Sequence, residues 1–153
     1  MKKNYNFIFI SGVERSGTTF LAKKICEYKN YFFIPEAQWK KYIFSNRIDL
    51  IKKSFRFKIW GIDWNPKYDN LKGCKLYDEI CKDYIKKKFN INLNDYENYT
   101  IVDHTPENFT YISDLKNWPN SKYVLLTRNS FAVSNSLLNT DWYSWDLSKL
   151  VKY

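Results

Sequence analysis

Histidine is almost missing from this chain: His104 is the only one in 153 residues. Cysteine is scarce as well, and Cys26, Cys74 and Cys81 form no Cys-x-x-Cys pair. That set is too poor for a structural zinc site and gives no disulfide framework, so no metal is expected and reduced thiols fit a cytoplasmic setting. No run approaches the roughly 18 apolar residues of a membrane span, so none is expected. Met1-Lys2-Lys3 before Phe7 to Ile10 imitates a signal peptide, but the apolar part is short and runs straight into Glu14-Arg15. Acidic residues are the minority charge, 16 against 25 Lys and Arg, which leaves a net charge of +9. Many lysines fall in pairs or runs (Lys23-Lys24, Lys40-Lys41, Lys52-Lys53, Lys86 to Lys88), several on the outer faces of expected helices. Such a field concentrates anionic ligands. No nucleic-acid motif accompanies it, so nucleic acid is not the expected partner.

What is present reads as one globular domain over 1–153, with hydrophobic residues at 44% and charged residues at 27%. Residues 5–10, 31–34, 100–104 and 121–127 have the composition of strands. Between them, 17–29 reads as a helix with Phe20, Leu21, Ile25 and Tyr28 on one face and Lys23 and Lys24 turned away. Residues 37–57 are loosely helical, 61–70 are turn-rich, and Leu76 to Phe89 is a clear amphipathic helix. Thr105-Pro106 opens another helix, and Asn129 or Ser130 caps a last one that runs past Ser136. Strands alternating with helices predict an α/β fold: a three-layer, P-loop-type parallel sheet flanked by helices on both faces. Ligands of such sheets bind beyond the carboxyl ends of the strands. That places the weight on loop 11–19, Pro35-Glu36, Asp103-His104-Thr105 and Arg128.

The first of these is the most informative. In FIFISGVERSGTTFL, Phe7 to Leu21, an apolar strand enters a loop with two glycines and leaves as a helix. The spacing Gly12-x-x-x-x-Gly17 is that of a phosphate loop, but Thr18-Thr19 follows where a nucleotide triphosphatase needs lysine. Backbone N–H groups at the helix start attract an anion. Arg15 adds a planar fork for an oxyanion, and Thr18 and Thr19 add hydroxyl donors. Arg128 follows the fourth strand, and Ser136 lies about two helical turns later. Both can reach one phosphate.

These segments together resemble the sulfotransferases. SGVERSGTTFL is similar to the family's 5′-phosphosulfate loop, a P-R-S-G-T-T core, with Glu14 in place of the usual proline and expected to point outward. YVLLTRNSFAVSNSLL resembles its 3′-phosphate motif. DHTPENF resembles the segment that precedes that strand in the branch related to tyrosylprotein and bacterial sulfotransferases. The resemblance spans about residues 5 to 140 and is weakest in the middle. It implies 3′-phosphoadenosine 5′-phosphosulfate (PAPS) as donor. Arg15, Ser16, Gly17, Thr18 and Thr19 would hold the 5′-phosphosulfate; Arg128 and Ser136 would hold the 3′-phosphate.

The resemblance also implies a transfer to a hydroxyl acceptor, whether carbohydrate, peptide or small molecule. Its usual base is a glutamate shortly after the first helix, and Glu36 falls there. His104 occupies a slot where relatives carry lysine, and it serves as helper or as the base itself. The catalytic set is therefore Glu36, Arg15 and His104. Two other readings stay open: a non-catalytic module that binds adenosine 3′,5′-bisphosphate or a sulfated ligand, and a nucleotide kinase. Trp39, Trp60, Trp64, Trp142 and Trp145 are candidates for core, acceptor site or adenine stacking. Relatives continue past the 3′-phosphate helix, so the expectation is a chain without the C-terminal part of the family fold. Its tail, with Trp142, Trp145, Leu147, Leu150 and Val151, is expected to favour self-association.

Overall fold

The computed structural model describes residues 4–96, 98–116 and 118–140. The sheet is built on β1 (Asn4–Gly12), where alternation sorts the side chains: Phe7 and Phe9 enter one core, Ile8 and Ile10 the other. With β2 (Tyr31–Ile34), β3 (Asn98–Asp103) and β4 (Ser121–Leu126) it forms a parallel sheet in the order β2-β3-β1-β4. Phe7 pairs with Ile101 on one side and with Ser121 on the other. β3 is buried over almost its whole length, as befits an apolar strand covered on both faces. Helices lie on both sides, so the expected layered α/β fold is what the chain adopts.

α1 (Thr18–Ile25) covers one face, where Ala22 meets Ile10 and Val102. The expected apolar face of this helix is half right. Leu21 and Ile25 pack against the sheet, but Phe20 and Tyr28 are exposed, and the small Ala22 takes the fully buried position. Lys23 does not turn away from function; it lines the cleft described below. The helix also ends at Ile25, short of the expected 29.

The opposite face carries the larger core. The loose helical stretch of 37–57 resolves into α2 (Lys40–Phe44), α3 (Ile48–Lys53) and α4 (Phe55–Lys58). Asn46, at φ 55°, separates the first two, and the extended Ser54 separates the last two. The turn-rich 61–70 contains a 3-10 segment, Pro66–Asn70, capped by the Asn65 side chain. α5 (Gly73–Phe89) begins slightly earlier than expected and buries Leu76, Tyr77, Ile80, Cys81, Tyr84 and Ile85; Asn90 stops it in the left-handed region. After Thr105 the chain forms a 3-10 segment, Pro106–Tyr111, before the short α6 (Ile112–Leu115), instead of one regular helix. α7 (Ser130–Leu138) is capped by Asn129, whose side chain accepts from the Phe131 N–H.

Trp39 and Trp60 belong to the large core, one of the places open to them, where their rings meet edge to face with centroids 5.0 Å apart; Trp60 also borders the cleft described below. Lys40, one of the paired lysines, is completely buried. The tail from 141 to 153, with Trp142 and Trp145, lies outside the described residues. No helix among the described residues is long and apolar enough to cross a membrane.

Candidate functional site

All the strands point their carboxyl ends at one cleft of about 730 Å³. The loop between β1 and α1 forms its floor. Gly12 has no alternative: a Cβ there would lie 2.6 Å from Ser16 Oγ and 2.7 Å from the Leu126 carbonyl oxygen. The bare backbone lets β4 pass close beside the loop. Val13 O accepts from Ser16 N at 3.0 Å, which tightens the turn. Gly17 then enters α1 at φ 99°, a conformation glycine adopts freely. Arg15 sits at φ 69° without being glycine, so its backbone is held in a sparsely populated region by its surroundings.

Those surroundings include the other two expected anion ligands. Arg15 Nε donates to Ser136 Oγ at 3.0 Å, and Arg128 Nη1 donates to the Arg15 carbonyl at 2.7 Å. The loop, the end of β4 and α7 thus meet at one place, and Arg15, Arg128 and Ser136 all line the cleft. Gly17, Thr18 and Thr19 line it too; Ser16 does not, but its Oγ is buried with no hydrogen-bond partner. No ion pair involves Arg15, Arg56 or Arg128 among the described residues. Glu14 is exposed, yet it stays on the rim of the cleft and does not leave it.

Glu36 and His104 face each other across the same cleft, with Oε1 and Nε2 3.9 Å apart. His104 is 4% exposed and stacks on Phe33, ring centroids 4.6 Å apart. Burial lowers its pKa, against a smaller opposing effect of Asp103, so the ring is neutral near pH 7. Burial pushes the Glu36 carboxyl up, and the nearby Glu107 adds to this, while Arg56 opposes it. The two groups are shifted toward each other, an arrangement suited to moving a proton. No hydrogen bond joins Asp103 to His104 among the described residues: His104 lines the cleft, whereas Asp103 turns into a buried cluster.

Several residues at the site carry no motif. Arg56, on α4, lines the cleft beside Glu36, but nothing in its sequence neighbourhood marks it. Gln38 and Ile59 border the same end. Beneath them Lys40, Tyr77, Asp103, Thr105 and Asn108 share a buried hydrogen-bonded cluster. The one available signal was Asp103 itself, a carboxylate closing an otherwise apolar strand. No group of three His, Cys, Asp or Glu side chains able to hold a metal ion occurs among the described residues.

A comparison with curated proteins found no significant match. The model of the sulfotransferase family, in contrast, matches residues 7–152, which takes in every element around the cleft, and the chain belongs to that family.

Proposed function

We propose that this transferase moves a sulfuryl group from PAPS to a hydroxyl acceptor, with Glu36 as general base. One observation carries the reading: the glycine loop, Arg128, Ser136 and Glu36 converge on a single cleft from four separate parts of the chain. The fit to a donor with two anionic ends is supported by Arg15 and Arg128, which have no ion-pair partner among the described residues, and by the buried Ser16 hydroxyl, which has no hydrogen-bond partner among them. When bound, this donor supplies the sulfuryl group and departs as adenosine 3′,5′-bisphosphate.

The chain's own residues then have distinct tasks. Arg15, Ser16, Gly17, Thr18 and Thr19 hold the 5′-phosphosulfate end, and Arg128 and Ser136 hold the 3′-phosphate. Glu36 takes the proton of the acceptor hydroxyl as its oxygen bonds to sulfur and the bond to the bridging oxygen breaks. A carboxylate with a raised pKa is a stronger base than an ordinary one, which suits this step. His104, neutral and enclosed, donates a hydrogen bond to the charge that develops on the leaving oxygen. Positioning and charge stabilisation dominate, as in phosphoryl transfer, and the sulfuryl group carries less charge to neutralise. The acceptor enters from the Arg56 end, next to Glu36; a carbohydrate, a peptide or a small alcohol all present the required hydroxyl.

Calorimetric titration without metal tests the donor. Adenosine 3′,5′-bisphosphate should bind more tightly than ADP. Equal affinity, or binding only with Mg²⁺, would overturn the assignment.

A further inference from the structure

We propose that the buried Lys40–Asp103 ion pair, relayed through Thr105, is a positioning device that holds Glu36 and His104 at the cleft. The inference rests on the reading of Glu36 as base with His104 beside it.

Asp103 closes β3 with no exposed surface, and its two oxygens take four donors. Oδ2 accepts from Lys40 Nζ and from Tyr77 OH, the latter at 2.7 Å. Oδ1 accepts from Thr105 N at 2.9 Å and from Thr105 Oγ1 at 2.6 Å. Thr105 Oγ1 in turn accepts from Ala37 N at 2.8 Å. Lys40 also donates to Asn108 Oδ1, and Asn108 Nδ2 donates to the Ile10 carbonyl at 3.2 Å. One carboxylate therefore ties together the end of β1, the exit from β2, the end of β3, α2 and α5.

The two cleft residues lie between these ties. His104 sits between Asp103 and Thr105, and Glu36 immediately precedes Ala37. The Thr105 hydroxyl joins the two backbone segments directly. Neither Lys40 nor Asp103 nor Thr105 nor Asn108 lines the cleft, so the cluster acts only through its neighbours. Stability alone is a poor reason to bury it, because a well-packed apolar replacement of a buried ion pair is often as stable or more so. What apolar residues lack is direction: four donors on one carboxylate fix the relative position of three strand ends.

Thr105→Val keeps the size of the side chain and removes the hydroxyl, and Thr105→Ser restores it. Three measurements separate the outcomes: single-turnover sulfuryl transfer, the dissociation constant for adenosine 3′,5′-bisphosphate, and the NMR titration of His104, the chain's only histidine. The charged groups around that ring are Glu36, Lys23, Lys40 and Asp103. Thr105→Val should lose roughly 10-fold to 100-fold in transfer rate, the range of a small misplacement of reacting groups. Its bisphosphate affinity should stay within about threefold. The His104 titration should move up toward that of free histidine, and Thr105→Ser should recover both.

A folded Thr105→Val with unchanged rate and unchanged His104 titration overturns the proposal. So does a parallel loss of rate and nucleotide affinity, or a serine variant as impaired as the valine. If the wild type binds the bisphosphate but transfers nothing, the functional reading fails by itself. The His104 titration then still decides this one: a shift reversed by serine supports it, and no shift overturns it. Should Thr105→Val not fold, Tyr77→Phe, which removes one hydroxyl donor to Asp103, is read in the same way.

Discussion

Glu36 and His104 are the residues at which the proposed chemistry succeeds or fails. Glu36→Gln should keep bisphosphate binding and slow sulfuryl transfer by about 10²–10⁴, the usual contribution of a positioned base. An active Glu36→Gln alongside an inactive His104→Ala would move the base to His104. The pH profile carries a sign. A base works only when deprotonated, so kcat/KM should rise with pH through the Glu36 pKa. Burial and Glu107 raise that pKa against the opposing Arg56, so the rise should come at a higher pH than for a free glutamate and vanish in Glu36→Gln. The place of both residues in the cleft was legible in the sequence because they lie just past strand ends, where a parallel sheet presents its ligand site. Arg56 was not, because it reaches the cleft through the packing of a four-residue helix. For a related reason Lys40 was not singled out. In a Lys-Lys pair nothing local tells the buried lysine from the exposed one; only the distant Asp103 and Asn108 do.

At the scale of elements, the anion loop and its two walls form one unit. A charge-assisted hydrogen bond is worth about 1.5–3 kcal/mol, so Arg128→Ala should weaken adenosine 3′,5′-bisphosphate roughly tenfold or more. ADP should be affected much less, and competition titration would measure the difference. Gly12→Ala acts on the same unit from below. Its methyl group would strike the Leu126 backbone, so β4 or the loop must shift; a loss of about 1–3 kcal/mol in urea unfolding is expected. The elements most readable in advance were those with strong periodicity or sharp punctuation. α5 shows a full apolar stripe, and β2 stops at Pro35. The stretch 37–57 was not readable to that degree. Its breaks come from Asn46 and Ser54, two residues that also occur within ordinary helices and turns. α1 was read correctly at Leu21 and Ile25, which pack on the sheet, but Phe20 is exposed and the small Ala22 takes the buried position.

For the molecule as a whole, acid should be the harmful direction. Burial would raise the Asp103 carboxyl, but Lys40, Thr105 and Tyr77 outweigh it and leave its pKa below the ordinary value. The His104 pKa is also lowered, chiefly by burial. Both groups therefore contribute stability that is present above their unfolded pKa values and lost as pH falls through the folded ones. Glu36 has the opposite sign, but it is only partly buried, so its effect is smaller. The urea midpoint should fall between pH 7 and pH 4, and His104→Gln should remove the upper part of that fall. A rising midpoint would contradict the cluster as described. The sheet order has one more consequence, in the time the protein needs to form. β1 emerges first, but its partners are β3 and β4: Phe7 waits for Ile101 and Ser121. β2 waits as well, since Tyr31 pairs with Thr100. On the ribosome, two apolar strands must remain without these partners until β3, which begins at Asn98, has been synthesised. Such distant pairings make folding slow and leave the nascent chain open to association with its neighbours or capture by chaperones.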